Sequence, residues 1–351
     1  MSGVERITIT AEDADQRLDR FLKRRYEHLG QGQIEKWCRK GELRLDGGRC
    51  KASSRLSEGQ ELRIPPRPAP QQNSHEETTK RLPARISDAD TRMIQAAVIY
   101  KDDDLLVLNK PAGIPTQGGS KQTRHIDGLS EVLRFGYEDK PRLVHRLDKD
   151  TSGVLLMARS RRIAHDLTEA FRHRATRKIY WAAVAGVPAP KIGTIKYGLR
   201  KAGGHGARGE GEKMEIVHPR DVATTDGAKR AQSDYFMLSR LASRGAWVAL
   251  VPVTGRTHQL RAHMAEIGHP IIGDGKYGGS GQENLGDGWG AQFGGDISKK
   301  LHLHARYLRF EHPVTKKTFE ITADLSHHMQ RTWETFQWDV NDVPDDPFEE
   351  L

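Results

Sequence analysis

The feature that most constrains the fold is a polar break between residues 67 and 90. Its first half holds Pro68, Pro70 and the run Gln71-Gln72-Asn73-Ser74, with few apolar side chains. A segment of this composition buries too little surface to fold and is typical of a flexible linker. We therefore expect two folded parts with separate cores, followed by an unstructured tail. The expected segments are residues 1–66, a linker over 67–90, residues 91–338, and an acidic tail over 339–351.

Charge indicates a polyanionic partner. The 351 residues carry a formal net charge of +9. The last thirteen residues hold six acids and no Lys or Arg, so the rest of the chain is more basic still. Nucleic acid is the commonest partner of such a protein, although a surplus of charge can also serve solubility.

Cysteine and apolar patterns indicate the compartment. Cys38 and Cys50 form no C-x-x-C pair, so neither a disulfide framework nor a zinc site is predicted. No apolar run approaches the roughly 18 residues of a membrane span, and the N-terminus lacks an apolar signal core. We expect a soluble, cytoplasmic monomer that binds neither metal nor membrane.

The first part combines short helices and strands with a basic surface. Apolar residues recur at helical spacing over 17–29 and 31–40, and strands are predicted at 43–45 and 61–64. Residues 17–51 hold eleven Lys and Arg against five Asp and Glu. Such a face suits nucleic-acid phosphates, the alternative being a solvated helix face. The cations expected to contact RNA are Arg17, Arg20, Lys23, Arg24, Lys40 and Arg44.

The second part is predicted to mix strands and helices. Strands are expected at residues 97–100, 105–108, 154–158, 177–186, 233–237, 247–253 and 301–310, and helices at 161–173 and 258–267. Thr257 is the expected N-cap of the second helix. The acids of residues 102–104 fit a hairpin turn better than a metal site, because no further ligand follows at suitable spacing. His302 and His304 likewise fit a strand that alternates core and surface positions over 301–310 better than they fit a metal site.

One stretch concentrates reactive side chains. Residues 143–153 hold two carboxylates, Asp148 and Asp150, together with cations, two hydroxyls and a glycine, and the apolar run 154–158 follows directly. A loop that enters a buried strand holds its side chains at a fixed place, where chemistry tends to occur. An ordinary polar turn is the alternative that spacing alone leaves open.

Other positions fit a nucleotide. Alternation along 177–186 puts Lys178 and Tyr180 on one face, where they suit a base by charge and stacking; a tyrosine packed on its strand neighbours is an equal alternative. Arg256 precedes a predicted helix, which suits a phosphate or a protein carboxylate, unless it only forms a surface ion pair. His258 and Arg261 lie one turn apart at the start of that helix.

Together these motifs resemble a known family. Four stretches match in order: 109–113 (Asn-Lys-Pro-Ala-Gly), 145–153 (beginning His-Arg-Leu-Asp), 178–180 (Lys-Ile-Tyr) and 255–261 (Gly-Arg-Thr-His-Gln-Leu-Arg). They are similar to the pseudouridine synthases of the large-subunit ribosomal RNA type, and to their class C members in particular. Residues 17–22 and 40–45 resemble the small alpha-L RNA-binding domain found in ribosomal protein S-four. The resemblance covers residues 15–65 and 95–325.

The resemblance implies a fold. It implies an α+β protein in which a small alpha-L RNA-binding domain precedes a pseudouridine synthase catalytic domain. The catalytic domain would have a mixed, mainly antiparallel sheet and a central RNA cleft. A linker between the two would let the first domain hold RNA at high effective concentration for the second. The Gly-rich segments 200–232 and 274–300 and the acidic tail depart from the family pattern, which leaves their roles and the modified uridines open.

The resemblance also implies residue roles. Asp148 matches the catalytic aspartate, whereas Asp150 matches no catalytic position. Arg146 matches the arginine that helps to expel the target base and fills its place, and Tyr180 matches the aromatic that packs against that base. Arg261 matches the arginine that pairs with the catalytic acid. Accompanying positions in the substrate site are matched by Lys178 and Arg256.

The implied reaction isomerises uridine to pseudouridine in large-subunit (23S) ribosomal RNA. The N-glycosidic bond breaks, and the uracil turns and rejoins through C5. Because neither a redox change nor a group transfer occurs, no cofactor and no metal are expected. Asp148 would act as a nucleophile or as a base on the ribose, and the sequence does not choose between these. Two other classes stay open: a non-catalytic RNA-binding or ribosome-assembly protein, and a metal-dependent nuclease using Asp148, Asp150 and a histidine.

Overall fold

The computed structural model describes residues 4–10, 13–26, 29–66, 86–118, 124–172, 176–203, 213–278 and 297–349. The chain divides into two compact units, Met1–Leu82 and Pro83–Leu351. Most of the expected linker lies outside the described residues. Its last residues do not belong to a linker, because a helix begins at Asp88 and is capped by Ser87, whose hydroxyl accepts from Asp90 N at 3.1 Å.

The first unit is a small antiparallel sheet with two helices. Its elements are β1 (Glu5–Thr8), α1 (Leu18–Arg25), α2 (Gln31–Lys40), β2 (Arg44–Leu45), β3 (Gly48–Arg49) and β4 (Glu61–Ile64). The strands follow the order β1-β4-β2-β3. α1 ends earlier than predicted, whereas α2 ends as predicted at Gly41, whose φ of 69° costs a residue without Cβ little. Leu18, Phe21 and Trp37 pack in the core.

The second unit is built on one large sheet. Its strands are β5 (Val98–Lys101), β6 (Leu105–Lys110), β7 (Arg142–Leu143), β8 (Ser152–Ala158), β9 (Arg177–Ala185), β10 (Ile192–Lys201), β11 (Met214–Val217), β12 (Lys229–Leu241), β13 (Gly245–Pro252), β14 (Leu303–Glu311) and β15 (Thr318–Thr322). Its helices are α3 (Asp88–Ala96), α4 (Ile126–Leu129), α5 (Arg161–Arg172), α6 (Gln259–Glu266) and α7 (His327–Thr335). The strand order is β11-β10-β12-β13-β9-β14-β8-β6-β5, with β15 beside β14 and β7 beside β8.

The sheet is mixed and mainly antiparallel, as predicted. Among the described strands, only β8 and β14 pair in parallel, through Ser152 with His304 and Gly153 with Ala305. All other neighbours are antiparallel. The parallel pair lies directly after the loop 144–151, so it brings that loop next to the start of β14.

Alternation along β9 divides the core between two faces. Trp181 packs on one face in a cluster that includes Trp333 of α7. Ala182 packs on the other face with Met264 of α6. Because Tyr180 shares the face of Ala182, β9 directs it toward the side of the sheet that α6 covers.

The C-terminal segment is packed on the sheet, which corrects the expectation of an unstructured acidic tail. Nε and Nη2 of Arg177 donate to both carboxylate oxygens of Asp346 at 2.7 and 2.8 Å. Phe348 contacts the tryptophan cluster, and the Arg177 guanidinium lies 5.1 Å from the centre of its ring. The prediction of an unstructured tail rested on the acidic residues of this segment and did not consider the apolar residues between them.

The structure describes parts of the two Gly-rich segments, 200–232 and 274–300. β10 and β11 pair antiparallel, and β12 begins at Lys229, so residues 200–201, 214–217 and 229–232 of the first Gly-rich segment belong to strands. Residues 204–212 of the first segment and most of the second segment, 279–296, lie outside the described residues. In the ranges given above, no helix is long and apolar enough to cross a membrane.

Candidate active site

The loop 144–151 is anchored where β8 begins. All residues of β8 are buried. Gly153 has a φ of 106°, and a Cβ built there would lie 2.2 Å from the carbonyl oxygen of Ala305, so only glycine allows β8 to approach β14 this closely. Ser152 Oγ also lies 2.8 Å from His304 Nδ1. The end of the loop is therefore fixed to the sheet.

Thr116 fixes the backbone just before Asp148. Its hydroxyl donates to the carbonyl oxygen of Leu147 at 2.6 Å and accepts from the Leu147 N–H at 3.1 Å. Both Leu147 and Thr116 are buried, so these hydrogen bonds are shielded from water. They satisfy both backbone groups of the residue that precedes the carboxylate.

Lys110 fixes the backbone just after Asp148. Its fully buried Nζ donates to the carbonyl oxygens of Pro111, Ile114 and Lys149 at 2.9, 2.8 and 3.1 Å. Burial lowers the pKa of Lys110 to about 7, against the attraction of Asp150 and Asp148. The lysine of the matched 109–113 stretch is thus a support beneath the loop.

All residues that the resemblance assigned to catalysis or substrate binding line one cavity of about 470 Å³. They are Arg146, Asp148, Lys178, Tyr180, Arg256 and Arg261. A volume of this size lies in the range of about 300–1,000 Å³ that small-ligand sites occupy. Asp150 is exposed and does not belong to the described lining, so the structure separates the two carboxylates.

Tyr180 and Lys178 face the cavity side by side, as alternation along β9 predicted. Burial and the Asp148 charge raise the pKa of the Tyr180 phenol, which therefore stays neutral. Burial lowers the pKa of Lys178, whose Nζ lies 5.3 Å from the centre of the Phe171 ring. One wall of the cavity thus offers an aromatic ring beside a cation.

His145 lines the cavity and also anchors the loop. Its Nε2 accepts a hydrogen bond from Leu156 N at 2.9 Å, and its ring stacks on Phe171 with centroids 4.8 Å apart. Burial and the nearby Lys178 lower the pKa of His145 to about 3, so the ring is neutral near pH 7. Its role is structural.

Arg261 forms an ion pair with Asp274, whereas the resemblance implied a pair with Asp148. Its Nε and Nη2 donate to Oδ2 and Oδ1 of Asp274 at 2.7 and 2.6 Å, and both side chains are almost completely buried. Burial opposes the charge of Arg261, but the hydrogen bond with Asp274 raises its pKa, with a smaller attraction from Asp148. Arg261 therefore acts on Asp148 through its charge at longer range.

His258 is a neighbour of Asp148 to which sequence reasoning gave no role. Its Nε2 lies 3.8 Å from Asp148 Oδ2. His258, rather than Thr257, is the N-cap of α6. Burial lowers the pKa of His258, against the attraction of Asp148. The signal in the sequence was the one-turn spacing to Arg261, which placed both side chains near the start of α6.

The remaining cations lie at the exposed edge of the cavity. Arg146 and Arg256 are exposed, and Arg256 Nε donates to the carbonyl oxygen of Arg230 at 3.2 Å. Within the described part of the chain, no group of three or more His, Cys, Asp or Glu is arranged to hold a metal. His302 and His304 are buried and hydrogen-bonded to protein groups. Residues 301–305 are all buried, so the predicted alternation of core and surface positions is wrong there.

The chain is similar in sequence to known proteins of one family. Residues 104–266 match the RNA pseudouridylate synthase family. The chain is 32% identical over 331 residues to the ribosomal large subunit pseudouridine synthase C of Vibrio cholerae, covering 93% of this chain and 95% of that protein. It is 34% identical over 330 residues to the protein of the same name from Yersinia pestis, covering 93% and 94%. This chain is a member of the RNA pseudouridylate synthase family.

A solved structure agrees with that assignment. Human RNA pseudouridylate synthase domain containing 4 is 26% identical, with a TM-score of 0.54 over 70% of this chain and 95% of that one. As a pseudouridine synthase, the protein is an isomerase, and RNA is its substrate.

In this pseudouridine synthase the six cations expected to contact RNA differ in their availability. Arg17 is hydrogen-bonded to Asp19 at 3.1 and 2.6 Å, and Arg44 to the carbonyl oxygens of Gly41 and Gly47 at 3.1 and 2.9 Å. Arg24 pairs with Asp13, and Lys40 lies 3.8 Å from Glu42. Arg20 and Lys23 are exposed on α1.

Proposed function

We propose that this protein isomerises uridine to pseudouridine in large-subunit ribosomal RNA, with Asp148 as the catalytic group and without a cofactor or metal. One observation carries the assignment of residues: Asp148 shares a cavity of about 470 Å³ with Tyr180, Arg146 and Arg261. The choice of RNA is supported by the relatives named ribosomal large subunit pseudouridine synthase C, which align with nearly the whole chain.

The target uridine must leave its stack to reach the cavity. Unstacking costs roughly a few kcal/mol. Arg146, exposed at the cavity edge, offsets part of this cost by occupying the space that the base leaves. Tyr180 then packs against the flipped base, and the cations Lys178 and Arg256 hold the adjoining backbone or carbonyl oxygens.

Asp148 acts on the ribose of the flipped nucleotide. The bond from ribose C1′ to uracil N1 breaks, the uracil turns, and C1′ joins C5. The C5 hydrogen leaves as a proton and N1 carries one in the product, so substrate and product are isomers. The carboxylate is partly exposed to the cavity, while the buried Arg261–Asp274 pair holds a guanidinium charge nearby. That charge attracts the carboxylate on which the reaction depends.

The first unit binds RNA in this proposal. Residues 1–66 form an RNA-binding domain of the alpha-L type, joined by the linker to the catalytic domain, with the C-terminal segment packed on the latter. Arg20 and Lys23, exposed on α1, contact phosphates most directly, and binding weakens as salt rises. The protein works as a cytoplasmic monomer.

The test uses the full-length protein and large-subunit ribosomal RNA that carries tritium at uridine C5. Wild type releases tritium, and Asp148→Asn slows release by about 10²–10⁴-fold or more. Asp150→Asn, on the same loop but outside the cavity, is the matched control and retains activity. Full activity of Asp148→Asn would show that the catalytic assignment is wrong. RNA binding without tritium release by any of the proteins would instead identify a non-catalytic RNA-binding protein.

A further inference from the structure

A chain of contacts from three parts of the sequence ends at Asp148. The backbone N–H of Met214, at the start of β11, donates to the phenol oxygen of Tyr277 at 2.9 Å. The same oxygen lies 3.1 Å from His258 Nδ1, and His258 Nε2 faces Asp148 Oδ2 at 3.8 Å. Met214 and Tyr277 belong to the two Gly-rich segments whose roles the sequence left open.

The phenol determines which nitrogen of His258 carries the proton. Because the Tyr277 oxygen accepts the Met214 proton, its own proton needs an acceptor, and among the described atoms that acceptor is His258 Nδ1. Burial raises the pKa of Tyr277, so the phenol keeps its proton near pH 7. With Nδ1 accepting, the ring proton lies on Nε2 and faces Asp148. The other tautomer would turn a lone pair toward the carboxylate.

The position of the ring is fixed as well. His258 has φ 51° and ψ 20°, a left-handed conformation that few residues other than glycine adopt and that occurs often at functional sites. Its ring meets the Tyr277 ring edge to face, with centroids 5.8 Å apart. The side chain is largely buried, at 10% exposure. His258 therefore has one orientation toward the carboxylate.

We propose that His258 is a positioning residue for Asp148, and that Tyr277 holds it in the tautomer that presents an N–H to the carboxylate. This inference rests on the proposed catalytic function of Asp148. A distance of 3.8 Å exceeds a hydrogen bond, and such contacts in free enzymes often shorten when the substrate binds. A donor N–H aimed at the carboxylate fixes the direction of its oxygens, so His258 orients Asp148 toward the ribose.

The groups around His258 determine which substitution tests the role of the phenol. His258 faces two carboxylates, two cations and one phenol: Asp148, Asp274, Arg261, Lys276 and Tyr277. Substitution of Tyr277 by Phe removes only the phenol oxygen. It therefore leaves all four charges in place and removes the contact with His258 together with the hydrogen bond from Met214 N.

The test measures single-turnover tritium release at saturating ribosomal RNA, together with the Kd for RNA. Asparagine at position 258 tolerates the left-handed backbone, but its amide is too short to reach the place of Nε2; the glutamine amide reaches it. We expect His258→Asn and Tyr277→Phe to slow turnover by about 10- to 100-fold, as loss of an orienting hydrogen bond typically does. The Kd for RNA stays unchanged in both variants.

His258→Gln restores the single-turnover rate of wild type. Tyr235→Phe is the matched control and leaves the rate unchanged, because that buried phenol donates to the Pro190 carbonyl oxygen at 3.1 Å and neither residue lines the cavity. If Asp148→Asn is inactive but His258→Asn and Tyr277→Phe keep the wild-type rate, the positioning role is wrong and Asp148 catalysis stands. If Asp148→Asn is active, the proposed function itself is wrong.

Discussion

Arg261 and Asp274 form a buried two-pronged ion pair beside the proposed catalytic carboxylate. Two hydrogen bonds of 2.7 and 2.6 Å join the planar guanidinium to both oxygens of Asp274. The same carboxylate accepts from the backbone N–H groups of Lys276 and Tyr277 at 3.0 and 3.2 Å. One carboxylate therefore fixes both the charge that acts on Asp148 and the turn that carries the phenol contacting His258.

Breaking this pair should destabilise the catalytic domain. We expect Asp274→Asn to lower the free energy of unfolding by about 3–5 kcal/mol, because it leaves the buried charge of Arg261 without its partner. Glu215→Gln, which breaks the half-exposed Arg200–Glu215 pair, is the control and should cost about 0–1 kcal/mol. Urea denaturation of both variants measures the difference. Equal, small losses would contradict a buried pair.

The buried Lys110 should make stability depend on pH. Its pKa is about 7 in the folded protein against 10.5 in the unfolded chain, so between these values the unfolded state binds one more proton. Stability contributed by this group therefore rises with pH from about 7 to 10.5, by about 1.4 kcal/mol per pH unit. The free energy of unfolding of wild type minus that of Lys110→Met should therefore increase between pH 7 and 10.5. A constant difference would show that Nζ is not desolvated.

Gly153 should tolerate no side chain. In Gly153→Ala the new Cβ meets the carbonyl oxygen of Ala305, so β8 and β14 must separate beneath the loop that carries Asp148. Gly136 also has a positive φ, of 92°, but open space around it, so Gly136→Ala bears only the backbone cost of about 1–2 kcal/mol. Thermal unfolding should show a clearly larger loss for Gly153→Ala. Equal losses would mean that the strand contact is dispensable.

The C-terminal segment should stabilise the domain. Asp346→Asn weakens two charged hydrogen bonds from Arg177, and we expect a loss of about 1.5–3 kcal/mol. Asp345 is 56% exposed and lies 3.9 Å from Arg306, so Asp345→Asn should change stability by no more than about 0.5 kcal/mol. Denaturant titration distinguishes them. If neither substitution matters, the segment does not hold the sheet.

The sequence predicted most elements of the fold because their patterns are local. Alternation along β9 placed Lys178 and Tyr180 on one face, and the run 154–158 was recognisable as a buried strand. Thr257 was predicted to be the N-cap of α6 because threonine is a preferred capping residue. That prediction was wrong, because the chain turns one residue later, with His258 in the left-handed region. The acidic C-terminal residues were misjudged because composition does not reveal that Asp346 meets Arg177.

The residues of the site were predicted from matched motifs. The residues that hold them in place were not predicted. Asp148, Tyr180 and Arg261 come together in one cavity, although they lie far apart in the chain. The partner of Arg261 depends on tertiary distance, and a motif cannot tell whether Asp148 or Asp274 is nearer. Lys110 likewise carries no signal of its burial, because a lysine after a strand is usually exposed.

The most direct test maps pseudouridine in the large-subunit ribosomal RNA of cells that lack this gene. Such cells should lose pseudouridine at specific uridines. Expression of wild type or Asp150→Asn should restore these positions, and Asp148→Asn should restore none while still binding the RNA. Restoration by Asp148→Asn, or an unchanged map in cells without the gene, would contradict Asp148 catalysis on this RNA.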